Sequence, residues 1–214
     1  MSDHAILDAL RTLDIDEQIY LVQHLPRNLT GRLLASMPAD ERARVRQVMH
    51  YEKNSVGAIM EFGVILVRPD VTLGAVQRYL RRLGKMPNNT DKLFVTSRDK
   101  TLLGELDLQT ILLHGAKRRV SEVMEPDPVI FMPEDDAEKA ARTFERDNLL
   151  SAAVVDSTGK LMGRVTIDEI VDVVYEETDN DMRAMGGLSA EEDVYAPVSK
   201  AVKTRWAWLA INLC

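Results

Sequence analysis

Cysteine occurs once, as the last residue, Cys214, and the four histidines, His4, His24, His50 and His114, stand at no ligand spacing. Disulfide frameworks and zinc sites are thereby excluded, and the chain reads as one from a reducing compartment. A basic surplus is also missing: 27 Lys and Arg against 34 Asp and Glu leave a net charge of −7. That balance argues against a nucleic-acid partner, whose phosphates are met by clustered cations. There is no nucleophile elbow, no phosphate-cradling glycine loop and no compact metal triad, so the sequence reads as a non-enzyme. The first residues lack the basic start and long apolar run of a secretory leader, which leaves the N-terminus expected in the cytoplasm. What is present is 45% hydrophobic and 29% charged residues, enough to bury a core in more than one domain.

Residues 4 to 50 have the spacing of short helices. Leu7, Leu10 and Leu13 recur at helical intervals, as do Ile19, Val22 and Leu25, then Leu33, Leu34 and Met37. Leu25-Pro26 and Met37-Pro38 each close an apolar run, and Pro38-Ala-Asp-Glu41 places acids in the first turn of the next helix. A small helical stack follows, with no catalytic constellation in it.

From about residue 55 the chain repeats itself. Val56-Gly-Ala-Ile-Met60 matches Val120-Ser-Glu-Val-Met124, and Pro69-Asp70 matches Pro133-Glu134, both at an offset of 64. Helices are expected after each, over 72–82 with Leu73, Val76, Tyr79 and Leu80 apolar, and over 136–146 with Ala137, Ala140, Ala141 and Phe144. Further on, Leu93-Phe-Val-Thr and Ser97-Arg-Asp-Lys100 match Ala153-Val-Val-Asp and Ser157-Thr-Gly-Lys160 at an offset of 60, while Gly104 to Ile111 matches Gly163 to Ile170 at an offset of 59. About five extra residues therefore sit in the first copy, within Lys85-Met-Pro-Asn-Asn-Thr-Asp-Lys92, expected as a surface loop.

Each copy reads strand, helix, strand, turn, strand, helix, and one alone is too small to cover its own sheet. The pattern over about residues 55 to 175 resembles the tandem CBS pair, an intracellular regulatory module that commonly binds adenosine nucleotides and dimerises. A nucleotide-binding copy of that family tends to show Gly-x-x-Ser/Thr-x-x-Asp after its last strand. The second copy has Gly163, Thr166 and, in the place of the acid, Glu169; the resemblance makes these three the candidate nucleotide residues. The first copy, Gly104 to Thr110, has neither hydroxyl nor acid in register and is expected to be silent. The plainer alternative for Thr166 is a cap on the helix that follows.

Between Asp168 and Asp193 stand ten acids and one base, a local charge of −9, whereas the rest of the chain comes to +2. In a helix, Asp168, Asp172 and Glu176 would share one face and repel. Such a run is either a solvated face or a place for cations. Carboxylates without thiol or imidazole select hard ions, and dispersed single carboxylates suit Mg2+ that keeps much of its water. Beyond the run, Lys200, Lys203 and Arg205 precede Trp206-Ala-Trp-Leu-Ala-Ile-Asn-Leu-Cys214. A basic collar followed by tryptophans is the pattern of entry into a membrane helix, yet nine residues fall short of the roughly 20 that span a bilayer. An amphipathic terminal helix is the alternative.

Taken in order, these modules resemble the cytosolic part of the MgtE family of magnesium channels. The matching stretches are Tyr51-Glu-Lys-Asn-Ser-Val-Gly-Ala-Ile-Met60, Val165-Thr-Ile-Asp-Glu-Ile-Val-Asp-Val-Val174, and Tyr195-Ala-Pro-Val before the basic-aromatic entry. The fold expected is mixed α+β: an N-terminal helical stack, a tandem CBS pair of two βαββα units, and a long C-terminal connecting helix. The divisions are 1–54 for a shortened helical N domain, 55–118 and 119–176 for the two CBS motifs, 177–205 for the acidic connecting helix, and 206–214 for the start of a truncated transmembrane segment. By the same resemblance the chain is a homodimer on the cytoplasmic face of the membrane, attached through a C-terminal transmembrane domain that is absent here. It would sense Mg2+ and close the pore when cytosolic Mg2+ is plentiful. The ligands carried over are Glu52, Asp136, Glu138, Glu169, Asp172, Glu177 and Asp181, with Asn54, Asn148 and Asn180 where relatives often have an acid. ATP or another adenosine nucleotide is the second ligand implied. The alternative function is a free-standing nucleotide-sensing CBS protein acting on a partner enzyme.

Overall fold

The N-terminal helices form where the apolar spacing places them: α1 (Ile15–His24), α2 (Arg27–Ser36) and α3 (Ala39–Val48). Ile19, Val22, Leu33, Met37, Val45 and Val48 are buried together, with Leu13, Leu25 and Leu34 packed against them. The computed structural model describes residue 13, residues 15–25 and residues 27–175. Leu7, Leu10, the acidic positions Glu177 and Asp181, the expected connecting helix over 177–205 and the expected membrane entry over 206–214 lie outside them. Among the described residues, no helix is long and apolar enough to cross a membrane.

The repeat becomes two three-stranded sheets of one design. In the first, β1 (Leu66–Val67) pairs parallel with β2 (Lys92–Thr96), which pairs antiparallel with β3 (Leu102–Asp107). In the second, β4 (Ile130–Phe131), β5 (Ser151–Val155) and β6 (Leu161–Thr166) do the same. The register repeats at the sequence offset: Lys92 faces Asp107 as Ser151 faces Thr166, and both hairpins carry an irregularity one residue from the strand end. At the turns, Lys100 and Gly159 both take positive φ, 69° and 78°; glycine does so without the steric cost that lysine bears.

Helix α4 (Leu73–Leu83) starts at Thr72, whose hydroxyl accepts from the Ala75 amide at 3.3 Å. Helix α6 (Ala137–Asp147) starts at Asp136, whose carboxylate accepts from the Lys139 amide at 2.9 Å. Each cap satisfies an amide that the first turn cannot. A short α5 (Leu108–Leu113) follows β3, and a helix opens after β6 and runs through 175. Asn148 ends α6 with φ 51° and ψ 45°, a left-handed cap that asparagine tolerates well.

The segments that lead the copies are exchanged. The 3-10 turn Val56–Ala58 belongs by sequence to the first copy, but Val56 and Met60 are buried with Phe131, Phe144, Val154 and Val165 of the second. Val120, from the turn Val120–Glu122, is buried with Leu73, Val76, Leu93 and Leu106 of the first. The Val56 and Gly57 amides donate to Asp135 and Pro133 carbonyls, both at 2.8 Å, and the Val120 and Ser121 amides to Val71 and Pro69 at 2.9 and 3.0 Å. A third cluster, Phe94, Ala153, Val155 and Leu161, joins the two sheets.

The exchange accounts for two glycines. Past Met60 the backbone of Glu61 pairs with Arg164 in β6, and that of Glu125 pairs with Glu105 in β3. A Cβ on Gly163 or Gly104 would fall inside the Glu61 or Glu125 carbonyl oxygen. Both positions therefore require the absence of a side chain.

Candidate functional site

The linker 58–65, the C-terminal end of α4, the extra loop of the first copy and the start of the helix after β6 enclose a cavity of about 840 Å³. Leu13, Asp16, Glu17 and Ile19, at and before α1, form its remaining wall. Five carboxylates line it, Asp16, Glu17, Glu61, Asp168 and Glu169, against two bases, Lys85 and Arg164. The volume lies in the range of small-molecule sites, and the charge favours cations or ligands that bring one.

Arg164 organises the interior. It is 3% exposed, and its Nη2 stands 2.9 Å from Glu61 Oε2. Nη1 donates to the Asn89 carbonyl at 3.0 Å and Nη2 to that of Asn88. Burial raises the Glu61 pKa above its ordinary value; the Arg164 charge opposes this, while Asp16 and Asp168 add to it. In the other sheet the matching residue to Arg164 is Glu105, which accepts from Lys92 Nζ at 2.9 Å. Burial raises its pKa too, with Lys92 opposing. Equivalent strand positions thus carry opposite charges.

The N-terminal helices meet the linker through Asp16. Its carboxylate accepts from the amides of Phe62, at 2.8 Å, and Gly63, at 3.1 Å. The Phe62 ring packs on the helical cluster and on the second-copy core, with the Arg44 guanidinium 5.7 Å from its centroid. A cavity wall and a docking contact are therefore the same few residues.

The candidate residues fall in different places. The Ala137 amide donates to the Asn54 carbonyl at 2.8 Å, and Ser55 bridges to Asp136, so the turn holding Glu52 lies against the start of α6 with Asp136 and Glu138. Asp136 caps that helix, and Glu138 pairs with Arg142. Glu169 lines the cavity, and Asp172 is exposed on the helix that follows. The donors have the hard-oxygen chemistry that Mg2+ prefers, but among the described residues no three His, Cys, Asp or Glu side chains come together as a metal site. Gly163 serves the contact with Glu61. Thr166 stands at the cap position of the helix that opens at 167, but it is wholly buried and its hydroxyl has no hydrogen-bond partner, so the side-chain cap bond of the plainer alternative is not made; of the three nucleotide candidates, Glu169 alone lines the cavity. The sequence does not single out Arg164, Glu61 or Asp16, and marks the extra loop only as a surface loop. The one available signal was a lone arginine inside the apolar strand Leu161-Met-Gly-Arg-Val-Thr166.

Residues 1–54 match the MgtE intracellular N domain, and residues 120–176 match the CBS domain. The magnesium transporter MgtE of Thermus thermophilus is 29% identical over 172 residues, covering 79% of this chain and 38% of that protein. In both modules the chain is similar to the MgtE family. It spans less than half the length of that relative. The cytosolic domain of the Mg2+ channel MgtE, solved in complex with ATP, superposes with a TM-score of 0.71 at 26% identity, covering 81% of this chain and 76% of that one. The soluble part of a magnesium transporter superposes with a TM-score of 0.77 at 22% identity, over 83% and 69% of the two chains, and shows the fold. The architecture expected from the sequence, a helical stack followed by a CBS pair, is thus the MgtE cytosolic one.

Proposed function

We propose that this chain is the cytosolic Mg2+-sensing region of a magnesium transporter, on the cytoplasmic face of the membrane, and that it favours a closed pore when Mg2+ is abundant. It performs no reaction of its own and works as a homodimer. The observation that carries this reading is the order of modules in a chain similar to the MgtE family, with the N-terminal stack seated on the linker of the CBS pair through Asp16. The acidic run supplies the sensitivity. Two carboxylates about 8 Å apart repel by roughly 0.5 to 2 kcal/mol between the dielectric limits of water and a protein surface. A divalent ion turns that repulsion into attraction, and the state that binds it better gains population as its concentration rises. Glu52, Asp136, Glu138, Glu169, Asp172, Glu177 and Asp181 are the residues proposed to hold it.

An adenosine nucleotide is proposed as a second ligand, in the cleft beside Glu169. The volume of about 840 Å³ supports this, as does the ATP complex of the related channel domain. Five carboxylates against two bases disfavour a bare triphosphate, so the nucleotide would enter as its magnesium complex.

The test is limited proteolysis over zero to about 20 mM MgCl2, with NaCl at matched ionic strength, because screening alone treats the two salts alike. Protection by Mg2+ and not by NaCl is expected, and it should be lost when Glu169, Asp172 and Glu177 are replaced by Ala. Equal behaviour in the two salts would make the carboxylates a solvated face and refute the reading.

A further inference from the structure

The extra residues of the first copy form an exposed loop, as expected, and that loop also has partners in the second copy. Helix α4 stops at Gly84, which takes φ 76°, and the chain from there to Asp91 is tied at three points to the second copy. Arg164 donates to the carbonyls of Asn88 and Asn89. The Asn89 amide group donates to Asp168 Oδ2 at 2.6 Å, and the Ser151 hydroxyl to Asp91 Oδ1 at 2.5 Å. Lys85 to Asn89 form one wall of the cavity. In the second copy only Asn148, Leu149 and Leu150 separate α6 from β5, so that copy has no equivalent loop between these two elements. There the counterpart of Arg164 is Glu105, satisfied by Lys92. A buried arginine that meets one carboxylate and two loop carbonyls uses its planar fork in a way lysine cannot reproduce.

We infer that residues 84–91 are a strap that gates the cleft, with Arg164 as the positioning residue that latches it. A ligand enters when Asn88 and Asn89 lift from Arg164 and Asp168, and a ligand in the cleft holds the strap down. Only the nucleotide's part in this gate rests on the function proposed above; the latch does not. Access to the cleft is therefore controlled from one side of the pseudo-twofold pair, and one ligand per chain is expected.

The Lys85–Met86 bond lies on the strap and reports its opening. Cleavage by a lysine-specific protease, followed by mass spectrometry, measures the open population when closing outpaces cutting. Asn89→Ala removes the exposed side-chain link to Asp168. Arg164→Lys keeps a charge opposite Glu61 but cannot span two carbonyls. Each is expected to speed the Lys85 cut by about tenfold, the size of one lost charge-assisted hydrogen bond, with the Lys117 cut and the melting temperature of Asn89→Ala unchanged. MgATP is expected to be retained by the wild-type chain on equilibrium dialysis and to slow the Lys85 cut. Unchanged Lys85 cleavage in Asn89→Ala, or an equal rise at Lys117, overturns the latch whether or not MgATP is retained. MgATP retained without effect on the Lys85 cut overturns the gate. Faster cleavage in the variants with no MgATP retained upholds the latch and refutes the nucleotide reading instead.

Discussion

Replacing Asp16 by Ala should release the N-terminal helices from the linker without unfolding either. The carboxylate accepts two amides, Phe62 at 2.8 Å and Gly63 at 3.1 Å, and hydrogen bonds to a charged acceptor contribute about 1.5 to 3 kcal/mol each. Two bonds to one side chain form together and do not add in full. Asp16 also stands near enough to Glu61 to raise that carboxyl's pKa, a repulsion that its removal relieves. The net loss is then about 2 kcal/mol, which is near 30-fold in the docking equilibrium. Amide hydrogen exchange reads this locally. Phe62 and Gly63 should exchange about 30-fold faster in Asp16→Ala, Asp16→Asn should fall between, and amides of β2 such as Leu93 should not change. Phe62 and Gly63 rates equal to the wild type would show that the helices are held by the apolar cluster around Phe62 alone, and the proposed role of Asp16 would fail.

Gly163→Ala and Gly104→Ala each drive a methyl into a linker carbonyl and should cost about 1 to 3 kcal/mol, whereas Gly31→Ala, in α2 with nothing within 4 Å, should stabilise by up to about 1 kcal/mol; urea unfolding of the three checks the contrast. Glu61 gives a pH signature. Its pKa is raised by burial in the folded chain, so the folded state binds the proton more tightly than the unfolded one. The stability this contributes is present at low pH and is lost as pH rises from the ordinary carboxylate range through the raised value. Glu61→Gln should therefore show its largest deficit against the wild type near pH 4 and a smaller one near pH 7, measured by urea unfolding; a deficit that grows with pH would refute the assignment.

The periodic parts of this fold were legible because a local pattern determines them. Ile19, Val22, Leu33 and Met37 are buried as their helical spacing predicts, and the offset of 59 between copies reappears residue by residue in the pairing of β2 with β3 and β5 with β6. Which sheet receives each leading segment was not legible. Val56 and Val120 open equivalent motifs, and either would fit a sheet of the same design, yet each is buried in the core of the other copy. Asn148 illustrates a related limit. By the family resemblance it stands where relatives often have an acid, while in the fold it supplies the left-handed end of α6, a backbone requirement that a comparison of acids does not register.

The cleft was the least legible feature because its walls come from segments that each have another task. Asp16 belongs to a packing helix, Glu61 to the exchanged linker, Arg164 to a strand, and Asn88 and Asn89 to an insertion some 75 residues from the arginine that holds them. No motif spacing encodes that meeting. Arg164 at 3% exposure is costly to bury unless Glu61 and both carbonyls meet it at once, so the strap, the linker and the second sheet have to close together. Through Asp16 of α1, whose carboxylate accepts from the linker amides of Phe62 and Gly63 just beyond Glu61, the position of the N-terminal helices enters the same balance. A ligand that binds better when all the walls are closed therefore stabilises each of them, and each closed wall in turn raises the affinity for that ligand.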